Sequence, residues 1–439
     1  MPVLRLAIAV MLPAVAWAAP FQKGPYLQNV RTDGVTVMWQ TGRTEPGRVQ
    51  IRPAGGAGAM ITLDSPAASI HEVNVTGLDS GRRYAYVVEC DGETSGGEFA
   101  TAPGPAEPFT FVVYGDTRSQ DDPHRTLVER VRREVPDFIL LTGDMVDEGN
   151  KEGDWQSFFD IERELLRENV LFPAVGNHDR QGRARTADAF RRYFSVPDDT
   201  PDPERYYAFT YGNSRFLILD SNEHSFALTD QTAWLEKELA DAAVDPRIQH
   251  RFVVMHHPVY STSLHGGHPQ LREMWTPLFE RYGVEAVFSG HDHTYERSAE
   301  GGVRYFVSGG GGAPLYPKDS HAARADAEAS IYFERTFNYM RVQVVGARIE
   351  VTSLREDGTR IETVTWGALP EVATGKPQPS APPVIAATVL PSPPAATTSG
   401  SGCSVGGGQG DGAWLLAGLA LLSARRARRA RTAAARSDR

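Results

Sequence analysis

The chain has 439 residues, 41% hydrophobic and 23% charged, with 45 Lys and Arg against 55 Asp and Glu. That length and composition exclude a disordered chain or one very small domain, and predict two packed domains with processed ends. Setting aside residues 1–18 and 401–439 leaves 37 basic against 53 acidic residues, a net charge of −16 that excludes nonspecific nucleic-acid binding.

In chain order, Arg5, the apolar run Leu6–Val15 and an Ala16-x-Ala18 pattern predict a secretory signal cut after Ala18. The apolar run is well short of the ~20 residues a spanning helix needs. From Phe21 to Thr101, short alternating runs such as Val35-Thr36-Val37-Met38-Trp39 and Tyr84-Ala85-Tyr86-Val87-Val88 are separated by Gly, Pro and Asp, which predicts a small β-sandwich. Trp39 and Tyr84 read as core residues there, and Cys90 as a buried free thiol, because Cys403 lies in a removable tail.

After a short Pro103–Pro108 linker the rhythm changes to apolar strands followed by amphipathic helices, an α/β pattern. Strands are predicted at Phe109–Tyr114, Phe138–Thr142, Val170–Val175, Phe216–Leu219, Phe252–Met255, Ala286–Ser289 and Tyr305–Val307. Helices are predicted near His124–Glu134, Trp155–Arg167, Asp230–Ala240 and Gln270–Tyr282. The Gly309–Gly312 run lacks the Lys and Ser/Thr of a phosphate-binding loop and reads as a tight structural turn. Pro-rich sequence from Lys376 to Pro394 predicts a stiff spacer. Beyond it come Gly402-Cys403-Ser404, an apolar run Ala413–Leu422 and a cluster of Arg425, Arg426, Arg428, Arg429 and Arg431. This layout resembles the C-terminal sorting signals of myxobacterial surface proteins, which implies transient membrane anchoring through the tail and a surface-anchored or released product.

The Asp, Asn and His residues fall just after apolar strands: Gly115-Asp116, Gly143-Asp144, Gly176-Asn177-His178-Asp179, His256-His257-Pro258 and Gly290-His291-Asp292-His293. In an α/β fold the carboxyl ends of neighbouring strands converge, so scattered side chains can meet. A glycine before the ligand is expected to let the backbone turn sharply. Hard oxygens with imidazole nitrogens suit Zn, Mn or Fe. Two such ions roughly 3.5–4 Å apart lower the pKa of bound water and stabilise attacking and leaving oxygens, the chemistry a phosphate ester demands.

The set and its order resemble the calcineurin-like metallophosphoesterases. Gly290-His291-Asp292-His293-Thr294-Tyr295-Glu296-Arg297, with Gly24-Pro25-Tyr26-Leu27-Gln28-Asn29-Val30 and Val37-Met38-Trp39-Gln40-Thr41, is similar to purple acid phosphatases and their fibronectin-type N-terminal domain. The resemblance spans Phe21 to Trp366. It implies a fibronectin-III-like domain at 19–103, an α/β phosphoesterase domain at 109–366 built as a β-sandwich flanked by helices, a linker at 367–401 and a sorting signal at 402–439. It further implies two divalent or mixed-valence ions of Fe, Zn or Mn, bridged by Asp144, with Asp116 and His293 on the first and Asn177, His256 and His291 on the second. His256 is preferred to His257 as the histidine two places before the proline. His178 is implied to contact phosphate or protonate the leaving group, and His265 to contact substrate.

Two positions depart from the pattern. Asp147 stands where purple acid phosphatases carry the coloured iron's tyrosine, and Arg118 where other superfamily members carry a histidine. Asp147 is expected either to orient His178 through its carboxylate, as in the related serine/threonine phosphatases, or to replace the tyrosine as a ligand. Arg118 reads as a phosphate-oxygen contact or a solvated surface arginine. The expected function is an exported, extracellular or cell-surface hydrolase of small phosphate esters. The competing class is a non-catalytic surface binding protein with a metal-stabilised scaffold.

Overall fold

The computed structural model describes residues 21–369, apart from 57, 181–185, 203, 223–227 and 322–325. The expected signal peptide, spacer and sorting tail lie outside the described residues, except that the spacer's first residues, 367–369, are included.

Five strands come first: β1 (Phe21–Arg31), β2 (Gly34–Pro53), β3 (Ile61–Thr76), β4 (Arg83–Cys90) and β5 (Glu93–Ala100). Then follow β6 (Phe109–Tyr114), α1 (Asp121–Glu134), β7 (Phe138–Leu141), α2 (Glu152–Leu166), β8 (Val170–Pro173) and α3 (Asp188–Tyr193). A second run comprises β9 (Tyr207–Tyr211), β10 (Ser214–Leu219), α4 (Leu228–Val244), β11 (His250–Met255), α5 (Pro269–Arg281), β12 (Ala286–Ser289), β13 (Tyr295–Glu300), β14 (Val303–Ser308) and β15 (Ser330–Glu334). The described residues close with the meander β16 (Asn338–Val345), β17 (Arg348–Arg355) and β18 (Arg360–Trp366).

These form two sheets. One runs β18-β17-β16-β6-β7-β8-β1-β2-β4-β5, with β3 paired to β2; the other runs β15-β13-β14-β12-β11-β10-β9. Within them β6-β7-β8 and β10-β11-β12-β14 are parallel. Side-chain alternation explains the layering. On β6, Phe111 and Val113 enter a core between the sheets, while Val112 and Tyr114 face a helix layer; all four are buried. A strand covered on both faces reads as a continuous apolar run, which is why these strands were visible in the sequence. The inter-sheet core is aromatic, with Phe111 against Phe138 at 5.2 Å and Phe172 against Phe209 at 3.7 Å between ring centroids.

Helices α1, α2 and α3 cover the outer face of the first sheet, and α4 and α5 that of the second. On α1 the buried residues His124, Leu127, Val128 and Val131 fall at i, i+3, i+4 and i+7, one stripe of a helix. The strands β9, β13 and β15–β18 and the short α3 were not foreseen. Arg341, Arg348, Glu350, Arg360 and Glu362 interrupt the apolar signal of β16–β18. The meander is nevertheless anchored, because β16 pairs with β6 from Met340 opposite Val113 to Val344 opposite Phe109.

The first five strands share the first sheet instead of packing as a detached module: β1 pairs in parallel with β8 at Leu27 and Val170. A polar lock reinforces the seam. Lys23 is completely buried, its Nζ donating to Gln40 Oε1 at 2.7 Å and Glu152 Oε1 at 2.5 Å, and lying 4.8 Å from the centre of the Tyr193 ring. Tyr193 donates to the other Glu152 oxygen at 2.5 Å, and Tyr26 donates to the Tyr193 carbonyl at 2.7 Å.

The lock is asymmetric, because the Glu152 side chain is 57% exposed and the Lys23 side chain fully enclosed. Glu152→Ala strands a buried ammonium and is expected to lower stability by about 1–3 kcal/mol. Lys23→Met keeps the stem's packing and leaves the carboxylate hydrated, so it should cost less. Urea denaturation of both variants checks the order; equal losses would show that the pair does not hold the seam.

Candidate metal centre

Asp116 follows β6, Asp144 follows β7, Asn177 follows β8, His256 follows β11, and His291 and His293 follow β12. Parallel strands deliver all of these to one rim across both sheets. His256 Nε2 lies 3.0 Å from Asn177 Oδ1, 3.4 Å from Asp144 Oδ1 and 3.2 Å from His291 Nδ1. On the other side of Asp144, His293 Nε2 is 3.6 Å from Asp116 Oδ1. Asp116, Asp144 and His256 thus come together, with Asn177 and His291 against His256 and His293 against Asp116.

The glycines have a different role from the one expected. Of Gly115, Gly143, Gly176 and Gly290, only Gly143 has a positive φ, +99°. The following residues make the turn: Asp116, Asp144 and His291 have φ of 56°, 54° and 68°. Asp and His tolerate this left-handed region better than most residues, yet each costs roughly 1–2 kcal/mol there. At Gly290 a Cβ would lie 2.7 Å from Thr142 Oγ1 and would also strike the Asp116 carboxylate, so this glycine serves close packing.

Backbone donors hold the strained residues. His178 N–H donates to Asp144 Oδ1 at 2.9 Å, and His291 N–H to Asp116 Oδ2 at 3.0 Å. Asp179 was quoted in the motif but given no role. Its buried carboxylate accepts N–H groups from Asp144, Met145 and Gly176 at 2.8–2.9 Å, clamping the two ligand loops together. Burial and the nearby Asp144 push Asp179 up to about 7. Asp292 does the same for another loop, accepting from Ser261 Oγ at 2.5 Å and from His265 N–H at 3.0 Å. Only their place inside ligand motifs hinted at these roles.

The ring tautomers follow from acceptor-only partners. His256 Nδ1 donates to the Thr142 carbonyl at 2.9 Å and His293 Nδ1 to the Pro314 carbonyl at 2.7 Å. Both Nε2 atoms thus present lone pairs to the cluster. Burial holds His256 down at about 3 and His293 at about 4, and burial with the His257 and His256 rings holds His291 well below the usual range. Burial and Asp144 raise the Asp116 carboxyl well above its usual range, with Arg118 opposing. The His256 lone pair, the Asn177 oxygen and the Asp144 carboxylate therefore converge with too few protons to bridge them. A divalent cation satisfies all three, and this nitrogen and hard-oxygen set fits Zn, Mn or Fe.

His257 lies close as well, its ring centre 4.3 Å from that of His291 and its Nδ1 2.9 Å from Ser221 Oγ. His256, His257 and His291 form a second candidate ligand group beside Asp116, Asp144 and His256. The preference for His256 had left His257 without a role. The His265 ring lies 4.5 Å from that of His291, at the mouth of the site.

The Asp147 carboxylate does not hydrogen-bond His178 as expected. The partner of His178 Nδ1, at 2.7 Å, is the main-chain carbonyl of Asp147 and not its carboxylate. That carboxylate turns away to Arg118 Nη1 at 2.9 Å and Ser119 Oγ at 2.6 Å, outside both ligand groups. Burial would raise it, but the bonds from Ser119 and Arg118 prevail and hold it below its ordinary value. Arg118 is no solvated surface residue: its side chain is 12% exposed, with Nε 3.4 Å from Asp144 Oδ2 and Nη2 3.4 Å from His293 Nε2. A cavity of about 610 Å³ elsewhere, lined by Arg31, Pro103, Phe209 and Arg215, contains none of these residues and has no bearing on this chemistry.

Residues 109–295 match the calcineurin-like phosphoesterase family. An uncharacterized protein of Mycobacterium tuberculosis is 28% identical over 64% of this chain and 63% of its own length. Purple acid phosphatase 21 of Arabidopsis thaliana is 29% identical over 53% of this chain and 54% of its own. The chain thus spans less than two thirds of these relatives. In fold it is similar to a purple acid phosphatase from yellow lupin (Lupinus luteus) seeds, with a TM-score of 0.67 and 20% identity over 79% of this chain and 74% of the other.

Metal analysis separates the ligands from Asp147. Asp116→Asn is expected to lose about half of the bound metal or more, whereas Asp147→Asn should keep the wild-type ratio of metal to protein. Metal loss in Asp147→Asn would restore its reading as a ligand.

Proposed function

Starting from a calcineurin-like metallophosphoesterase domain over residues 109–295 with purple acid phosphatases among its relatives, we propose that the chain hydrolyses small phosphate esters at a two-metal centre outside the cytoplasm. The observation that carries this reading is the convergence of the His256 lone pair on the Asn177 and Asp144 oxygens, with Asp116 grouped beside Asp144 and His293 against Asp116. Asp116, Asp144 and His293 would hold one ion, and Asp144, Asn177, His256 and His291 the other. Bound there, Fe, Zn or Mn ions would supply Lewis acidity and an activated water.

The protein's own groups do the rest. Arg118 brings a fixed positive charge beside Asp144 for the non-bridging oxygens of the phosphoryl group. As the oxygen of water bonds to phosphorus, the P–O bond to the leaving group breaks and that oxygen needs a proton. We assign that proton to His178. Its Nδ1–H is committed to the Asp147 carbonyl, which leaves Nε2 as the atom that carries and releases a proton. His265 lines the mouth, where its ring meets His291 and Tyr316. The acidic surface charge favours small esters over large polyanions.

Export belongs to the same reading, on the strength of the Arg5–Ala18 signal pattern and the tail from Cys403 through the arginine cluster. The domains proposed are 19–103 and 109–366, with processing at both ends. Among the described residues no helix is long and apolar enough to cross a membrane.

A panel of aryl and alkyl phosphate mono- and diesters, assayed with each candidate metal, tests the activity; metal binding without turnover would leave the binding-scaffold reading. Asp144→Ala is expected to lose most bound metal and at least about 100-fold in rate. His178→Ala should keep its metal and lose on the order of 10²–10⁴-fold on alkyl esters, whose leaving groups need a proton, and far less on nitrophenyl esters. Equal losses on both would remove His178 as the proton donor.

A further inference from the structure

The Gly309–Gly312 run does more than turn the chain. Gly311 N–H donates to the Gly115 carbonyl at 2.9 Å, Ala313 N–H to the Asp116 carbonyl at 2.8 Å, and the Pro314 carbonyl accepts from His293 Nδ1 at 2.7 Å. The segment is thus fastened to two residues of the first metal group, and the residue it delivers is Tyr316. Tyr316 N–H donates to the His293 carbonyl at 2.9 Å, and its ring stacks on the His293 imidazole with centroids 4.0 Å apart and planes 18° apart. Its other side meets the edge of His265 at 5.3 Å. The phenol is half-buried, and its ring and Arg118 Nη2, which lies 3.4 Å from His293 Nε2, meet on the same imidazole.

We propose that Tyr316 is a substrate-binding residue whose hydroxyl, beside Arg118, holds a non-bridging phosphoryl oxygen at the mouth of the site. A phenol donates its proton to one such oxygen, and a guanidinium donates to another. Two donors side by side, one cationic and one neutral, match two oxygens of a phosphoryl group. Arg118 is itself fixed by Asp147 and Ser119, so the pair is oriented before substrate arrives. The proposal rests on the phosphoesterase reading and adds to it a recognition group outside the ligand motifs.

Tyr316→Phe keeps the ring that stacks on His293 and removes only the hydroxyl. In the metal-loaded protein it is expected to leave the metal-to-protein ratio unchanged. It should weaken binding of inorganic phosphate, measured by calorimetry, about tenfold and raise KM for a phosphate monoester in parallel, with kcat changed less. Tyr316→Leu, which also loses the stacking, should add metal loss. Unchanged phosphate affinity in Tyr316→Phe, with wild type both binding phosphate and turning over, overturns the clamp alone. Metal loss in Tyr316→Phe, or a visible charge-transfer band in the iron-loaded wild type that the substitution abolishes, makes Tyr316 a metal ligand and overturns it too. A wild type that neither binds phosphate nor turns over any ester would instead remove the functional reading beneath it.

Discussion

Acceptor atoms crowded at a buried rim are the constraint on which the rest depends. Asp116, Asp144 and the lone-pair side of His256 are enclosed with their ligand atoms within 4.8 Å of one another, where each would repel its neighbour unless a cation or a donor intervened. The surrounding structure supplies donors wherever the backbone can: His178 and His291 N–H groups point into the carboxylates, and Asp179 gathers three further N–H groups from the loops that carry them. Left-handed backbone at Asp116, Asp144 and His291 is tolerated because parallel strands on both sheets leave these turns no other course. Rigid sheets on either side allow such strain to persist.

Much of this was legible in the sequence because strand and ligand signals coincide. Each parallel strand is buried on both faces, so it appears as an apolar run, and the polar residue that ends the run is the one the rim receives. Asp116, Asp144, Asn177 and His256 could be located in this way without any spatial information. What could not be read was direction. The spacing of Asp147 from Asp144 was compatible with a carboxylate facing His178, yet the turn presents the carbonyl and sends the carboxylate to Arg118. The roles of Asp179 and Asp292 were hidden for a similar reason, since a carboxylate that binds backbone amides has the same sequence signature as one that binds metal. Tyr316 left almost no signal, being a single aromatic after a glycine run.

The edges of the sheets were also poorly legible. In β16–β18, one-sided alternation diluted by Arg and Glu looks like surface loop, although β16 is paired along most of β6 and so borders the strand that carries Asp116. Arg297 with Glu362 and Arg355 with Glu334 link this meander to the second sheet by paired contacts of 2.5–2.8 Å. These partly buried pairs tie the two sheets together beside the apolar packing of Met340, Val342, Val344, Ile349 and Val351.

The parallel pairing of β1 with β8 bears on how the protein avoids self-association. An uncapped parallel strand exposes unpaired amides and carbonyls to any other extended chain. Here the polypeptide's own first strand lies beside β8, joined to it at Leu27 and Val170 and held by Lys23 and Tyr26, so the sheet continues past β8 instead of ending there. During synthesis this strand emerges before the edge it will join, and that flank has its partner waiting from the start.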